Sequence, residues 1–272
     1  MSIQGKDRQD LRRAVELLEN PSFISRIIDV IGKPVEKVMD SLPTTVSGKI
    51  QDAVQATLNK LLVFAVKTMG EGFQGRASTL THKIASGLSG AIGGAFGLPA
   101  LAVELPVSTS IILRSIADIA RSEGEDIAAL EARLACLEVF ALGGRSGADD
   151  MAETGYFAVR AALAKAVSDA AKHIATKGLT EKSAPPIEKS APPIARFITQ
   201  ISSRFGAVVS EKMAVQAVPV IGALGGATIN LLFVDHFQDA ARGHFIVRRL
   251  EREFGEETVQ REYMKILSQS RT

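Results

Sequence analysis

Apolar residues recur along this chain at intervals of three and four, and almost nowhere in strict alternation. Leu11, Ala14, Val15 and Leu18 form one such stripe, closed by Asn20-Pro21. Ile24, Ile27, Ile28 and Ile31 form a second, closed by Gly32 and Pro34. A longer stripe carries Ile50, Val54, Leu58, Leu61, Leu62, Ala65 and Met69, with Thr44 or Thr45 placed to cap it and Gly70 to end it. Asp126 is expected to cap a helix carrying Ile127, Leu130, Leu134, Leu137 and Ala141, ended by Gly143-Gly144. Asp149 is expected to cap an alanine-rich helix reaching about Ala175. This is the spacing of one helix face. The fold class predicted is all-α: a multi-helix bundle with no significant sheet.

Two stretches break the amphipathic rule. GLSGAIGGAFGLPALAVELP, residues 87–106, holds five glycines and no charge before Glu104. AVPVIGALGGATINLLFV, residues 217–234, holds Gly222, Gly225 and Gly226 and no charge before Asp235. Glycine in a helix costs roughly 1 kcal/mol relative to alanine, so dense glycine needs an offsetting close approach of backbones. The two runs are expected to be Gly-rich helical segments packed centrally. They suit a buried pair in a soluble bundle, or insertion into a bilayer, since each nears the ~20 residues a span needs. A phosphate-cradling loop fits poorly, because GxGxxG and a preceding strand are both missing. Pro99, Pro106 and Pro219 weaken a simple span, as do flanks that are not strongly basic.

EKSAPPI at residues 181–187 repeats at once at residues 188–194. Paired prolines favour an extended spacer, with a proline-motif docking site as the alternative. The expected organisation is N-terminal helices in residues 1–45 and one helical domain in residues 46–268, interrupted by the duplicated linker at 177–194.

Several polar residues are candidates for chemistry. Glu104 lies two residues before Pro106, where a new helix is expected to start; its carboxylate would then satisfy free amides, or act as an acid or metal ligand. Arg114, Asp118 and Arg121 follow at i, i+4, i+7 and are read as a solvated polar stripe, with a Glu104–Arg114 ion pair as a further option. Asp235 and Asp239 are four apart, and His236 and His244 are eight apart on the same predicted helix. His236 faces apolar neighbours and is read as a core histidine, with a metal ligand as the alternative. The catalytic candidates are therefore Glu104, Arg114, Asp118, Asp235, His236 and His244, and the metal candidates are Glu104, Asp235, His236 and His244. Ser146, between glycines, lacks the strand-turn-helix of a nucleophile elbow. Cys136 lies between Leu134 and Leu137 and is read as an inert core thiol.

Composition narrows the field. With 46% apolar and 23% charged residues the chain is globular, not disordered. A net charge of +2 gives no concentrated basic face, which argues against nucleic acid. A single cysteine asks for no oxidising compartment, and the polar start MSIQGKDRQDLRR lacks a signal core. The expected location is the cytoplasm, or the inner face of the cytoplasmic membrane as a peripheral or integral protein. No motif calls for a cofactor; a divalent metal belongs to the enzyme alternative.

The run SGLSGAIGGAFGLPALAVELPVSTSIILRSIADIARSEGED, then ARLACLEVFALGG, resembles the EcsC family of bacterial proteins. AVPVIGALGGATINLLFVDHFQDAARGHFIVRRLEREFG is similar to that family's C-terminal part. The resemblance covers about residues 50–265. It implies a neighbour of an ABC transporter linked to secretion, with no established biochemical activity; some members carry peptidase-like labels. It draws attention to Glu104, Pro106, Thr109, Arg114, Gly124, Asp235 and His244 and assigns none of them a chemical role. Two hypotheses follow. The chain is a non-enzymatic helical protein associated with a membrane, a membrane complex or an ABC transporter. Alternatively it is a metal-assisted hydrolase whose polar groups converge between the Gly-rich helices.

Overall fold

A computed structural model describes residues 3–19, 23, 26–27, 44–68, 98–144, 155–179, 191–216 and 219–270. For residues 44–47, 68, 98–103 and 219–225 it describes the helix alone. Eight helices account for nearly all of these residues: α1 (Gly5–Leu18), α2 (Thr44–Thr68), α3 (Leu98–Ser122), α4 (Leu130–Leu142), α5 (Tyr156–Lys177), α6 (Pro192–Gln216), α7 (Pro219–Phe254) and α8 (Glu256–Ser270). There is no strand among the described residues, as the helical spacing predicts.

The centre of the bundle follows from α4. Its sequence LEARLACLEVFAL is apolar nearly all round, and ten of its thirteen residues are buried. A helix with no polar face must be enclosed, and α2, α3, α5, α6 and α7 pack around it. Phe140 of α4 meets Phe205 of α6 at 4.9 Å and Phe237 of α7 at 5.3 Å between ring centroids. Phe23 and Phe233 extend this edge-to-face cluster.

The helix ends differ from expectation in instructive ways. Asp126 does not cap α4; its carboxylate accepts the Ala128 amide in a turn, and the helix starts four residues after it, at Leu130. Asp149 lies outside the described residues, and α5 begins at Tyr156. The second proline pair is no spacer: Pro192 and Pro193 form the first turn of α6, where a missing amide costs nothing. Residues 181–190 of the repeat lie outside the described residues, as does the glycine-dense stretch 87–97. The second glycine-rich run forms the start of α7. Of the 24–31 stripe only Arg26 and Ile27 are described, Ile27 fully buried. Gly124 and Gly255 end α3 and α7 with φ of 79° and 85°, the left-handed conformation that non-glycine residues avoid.

Pro106 sits inside α3, which runs unbroken from Leu98. The expected helix start at Pro106 is therefore wrong. Proline leaves one carbonyl of the preceding turn without its amide donor. Just after it the Thr109 hydroxyl donates to the Leu105 carbonyl at 2.5 Å, and the Ser110 hydroxyl to the Pro106 carbonyl at 2.6 Å. These local bonds hold the turn while allowing it to bend.

Close backbone approach occurs at glycines outside the two runs. A Cβ on Gly243 of α7 would lie 2.5 Å from Leu18 Cγ and 3.2 Å from the Ala14 carbonyl of α1. Gly243→Ala is expected to destabilise the protein by about 1–3 kcal/mol through overpacking, as a urea melt would measure. An unchanged midpoint would show that α1 shifts freely.

Helices α3 and α7 run parallel. The Gln238 side-chain amide donates to the Ser115 hydroxyl at 2.7 Å, and Arg248 donates to Glu125 at 2.8 Å, both across a separation of 123 residues. One register thus holds along their length. Lys212, near the C-terminus of α6, meets Glu104 near the N-terminus of α3. The starts of α3 and α7 and the end of α6 therefore share one end of the bundle.

Candidate functional site

Glu104 lies in the interior of α3, buried, with one carboxylate oxygen 2.6 Å from Lys212 Nζ. It neither caps a helix nor meets Arg114, so both of those expectations are corrected. Arg114 is exposed and lies over the Phe64 ring of α2 at 5.3 Å. Lys212 is even more buried than its partner and rests 4.7 Å above the Phe233 ring. Burial lowers the lysine pKa, and the Glu104 charge opposes that shift.

The predicted solvated stripe on α3 is only partly solvated. Asp118 is buried and accepts from Arg121 at 2.9 Å, because the turn that carries it packs inward. Asp235 is half-buried on α7. His236 is buried, and its Nε2 donates to the Gly143 carbonyl at 2.6 Å at the end of α4. Burial, with the nearby Arg26 charge, pushes its pKa down to about 4, against the opposing pull of the carbonyl. His244 is fully buried. Its Nδ1 lies 2.9 Å from the Tyr156 hydroxyl, which also accepts a longer contact from Arg160. Burial and the charges of Arg248 and Arg160 hold the His244 pKa well below the usual range.

The structure therefore distributes the predicted residues. Glu104 belongs to the α3–α6 contact, His236 to the α4–α7 contact and His244 to the α5–α7 contact. Among the described residues no three His, Cys, Asp or Glu side chains form a group that could hold a metal ion. Cys136 is buried and free, and burial pushes its thiol pKa up, away from a nucleophile's range.

One polar cluster was missed from the sequence. A cavity of about 410 Å³ opens between α4, α5 and α7. Glu138, Arg160, Lys172 and Arg248 line it, with Ala164 and Val167 among its apolar walls. Arg160 pairs with Glu251 at 2.7 Å, and Arg248 holds both oxygens of Glu125. Glu138 is buried, and no hydrogen bond reaches its carboxyl among the described residues. Burial pushes its pKa up to about 7; Arg160 and Arg248 counter part of that rise, and Glu251 adds to it. The signal was present in ARLACLEVFALGG. Glu138 follows Leu134 by four residues on a helix otherwise built for burial.

Charge has a second pattern. Beyond Arg114 on α3, Arg204 on α6 and Asp235 on α7, toward the shared end, the only charged residues on these helices are Glu104, Glu211 and Lys212. All three are buried. Val107 is 47% exposed there, and Ala227 and Thr228 of α7 are exposed within one turn of the same height. Lys49 and Asp52 of α2 lie near the boundary, since Gln51 bonds Ser202 of α6 at 3.1 Å.

Comparison with curated proteins finds no match. Comparison with solved structures finds none either. The model of the EcsC protein family matches residues 8–250, which takes in α1 as well as the glycine-rich runs. The chain belongs to the EcsC protein family.

Proposed function

We propose that this protein is a non-enzymatic helical protein that docks on the cytoplasmic face of a membrane through its uncharged end, the end where, among the described residues, α3, α6 and α7 carry no surface charge. The carrying observation is the common level at which charge begins on three helices. Arg114 and Asp235 stand within one turn of the same height, given the 123-residue register between α3 and α7. Above that level α3 and α7 each continue for about 23 Å at 1.5 Å per residue. A hydrocarbon core is about 30 Å thick, and no helix among the described residues is long and apolar enough to cross a membrane. The geometry favours partial insertion of a blunt apolar end. The buried Glu104–Lys212 pair compensates one of the two carboxylates buried in that end, Glu211 being the other, and Lys49 near the boundary would meet anionic headgroups.

Flotation with vesicles of mixed neutral and anionic phospholipid tests this. Wild-type protein should float, and Val107→Asp should remain at the bottom with an unchanged melting temperature. Wild-type protein that never floats, and never sediments with cell membranes, would sink the proposal. Sedimentation with cell membranes without vesicle binding would replace lipid by a membrane protein, such as the transporter the family resemblance implies.

A further inference from the structure

We infer that the cavity between α4, α5 and α7 is a binding site for a small organic anion with a short apolar body. The anionic group would bridge Arg160 and Arg248, with Lys172 at the rim. The body would lie against Ala164, Val167 and the neighbouring alanines. Glu138, at the inner wall, would donate a hydrogen bond as a neutral carboxyl. The site lies at the level of the Arg248–Glu125 bond, near the end of α3, far from the uncharged end. It does not rest on the membrane reading.

Three observations carry this. The cavity volume lies in the range of small-molecule sites, roughly 300–1,000 Å³. Each guanidinium is anchored by a carboxylate yet keeps further N–H donors. Arg160 spends only Nη1 on Glu251 and Tyr156, and Arg248 spends Nε and Nη2 on Glu125, in the bonds among described residues. A guanidinium fixed in this way is preorganised for a planar anion. Finally, Glu138 is a buried acid without a hydrogen bond, lining the same space as two cations that are already engaged elsewhere. Its carboxyl oxygens are not among the enclosed polar atoms that lack a partner, so they open onto the cavity, where a bound group would meet them.

The charges around Glu138 set the sign of the pH dependence. Arg160 comes from α5, Arg248 and Glu251 from α7. Glu131 of its own helix and Lys172 of α5 share the cavity lining, while α2, α3 and α6 contribute nothing to that lining. Tyr156 of α5 also senses the Glu138 charge and stays protonated. Protonated, Glu138 offers a donor to the anion; ionised, it repels it. With its midpoint near 7, anion affinity should fall about tenfold between about pH 6 and about pH 8.

Titration calorimetry on the full chain tests the inference, with hexanoate and hexyl sulfate as probes and hexylammonium as the opposite charge. Both anions keep a fixed charge over this pH range. At least one should bind saturably at low-millimolar concentration, and hexylammonium should not. Ala164→Phe, at an exposed position on the cavity wall, should abolish binding without lowering the melting temperature. Glu138→Gln should bind with no pH dependence. No anion binding, equal binding of the cation, or binding that survives Ala164→Phe would each overturn the assignment.

Discussion

Lys212→Met is expected to destabilise the protein by about 3–5 kcal/mol, because it leaves the buried Glu104 carboxylate without its counter-charge. The two groups are 2.6 Å apart and only 3% and 6% exposed. The Phe233 face below the ammonium loses its cation as well. Glu104→Gln alone should cost less. Its side chain can still accept from Lys212, and an ammonium on a flexible stem neutralises more readily than a stranded carboxylate, its pKa being already lowered. Glu104→Met combined with Lys212→Met should recover most of the loss, since packed apolar residues often replace a buried pair at no net cost. Urea melts of the wild type, Lys212→Met, Glu104→Met and the double Met variant complete a double-mutant cycle. If the two single losses simply add in the double variant, the residues are uncoupled and the pair is a bystander. The outcome also bears on the membrane proposal, because either single variant leaves an uncompensated charge in the end where, among the described residues, α3, α6 and α7 carry no surface charge.

The second large effect has the opposite sign. Glu138→Gln is expected to stabilise the protein by ~2–3 kcal/mol at about pH 8 and by almost nothing at about pH 4. The folded-state pKa of Glu138 is pushed up to about 7 from an ordinary 4.5, chiefly by burial. Below 4.5 the carboxyl is protonated folded or unfolded, so its contribution is fully retained. Between 4.5 and 7 the unfolded chain ionises and the folded chain resists, so stability falls. Above 7 the loss is complete. Glutamine keeps the shape and never ionises, so the variant-minus-wild-type difference should rise across that window and then level. Taking the difference removes the separate effect of His236 and His244. Their lowered pKa values make the wild type lose stability as pH falls below 6.5. A flat difference between the two pH limits would mean that Glu138 is solvated in the folded state, and its donor role in anion binding would fall with it.

Retaining an acid that weakens the fold at neutral pH has a physical implication. Most such groups in a core are removed or paired. Glu138 is neither, and it stands where two guanidiniums already face a cavity. Strongly shifted acids in clefts cluster at functional sites, which is why the anion experiment and the stability experiment share one variant. The same contrast separates Glu138 from Glu104. Both are buried carboxylates on helices of the core. One is fully spent on a lysine; the other has no bond among the described residues.

What the chain determines by itself is its local order. Periodicity placed α1, α2 and α4, because a helix buries one face through contacts that recur every three or four residues. The apolar character of α4 and the two charge-free runs were equally legible, being properties of consecutive residues. Tertiary structure decided the partners. Glu104 finds Lys212 across 108 residues, and Gln238 finds Ser115 across 123; nothing at short range marks either pair. It also decided Pro106. Local rules start a helix there, yet a continuous α3 tolerates the missing amide because neighbouring hydroxyls and helices hold the turn. The six residues proposed for chemistry were scattered for the same reason. Each was chosen by its type and its neighbours in sequence, whereas convergence depends on which faces of α3, α6 and α7 turn toward one another. Glu138 shows the reverse: a residue unremarked among leucines becomes a candidate site only when Arg160 and Arg248 arrive from two other helices.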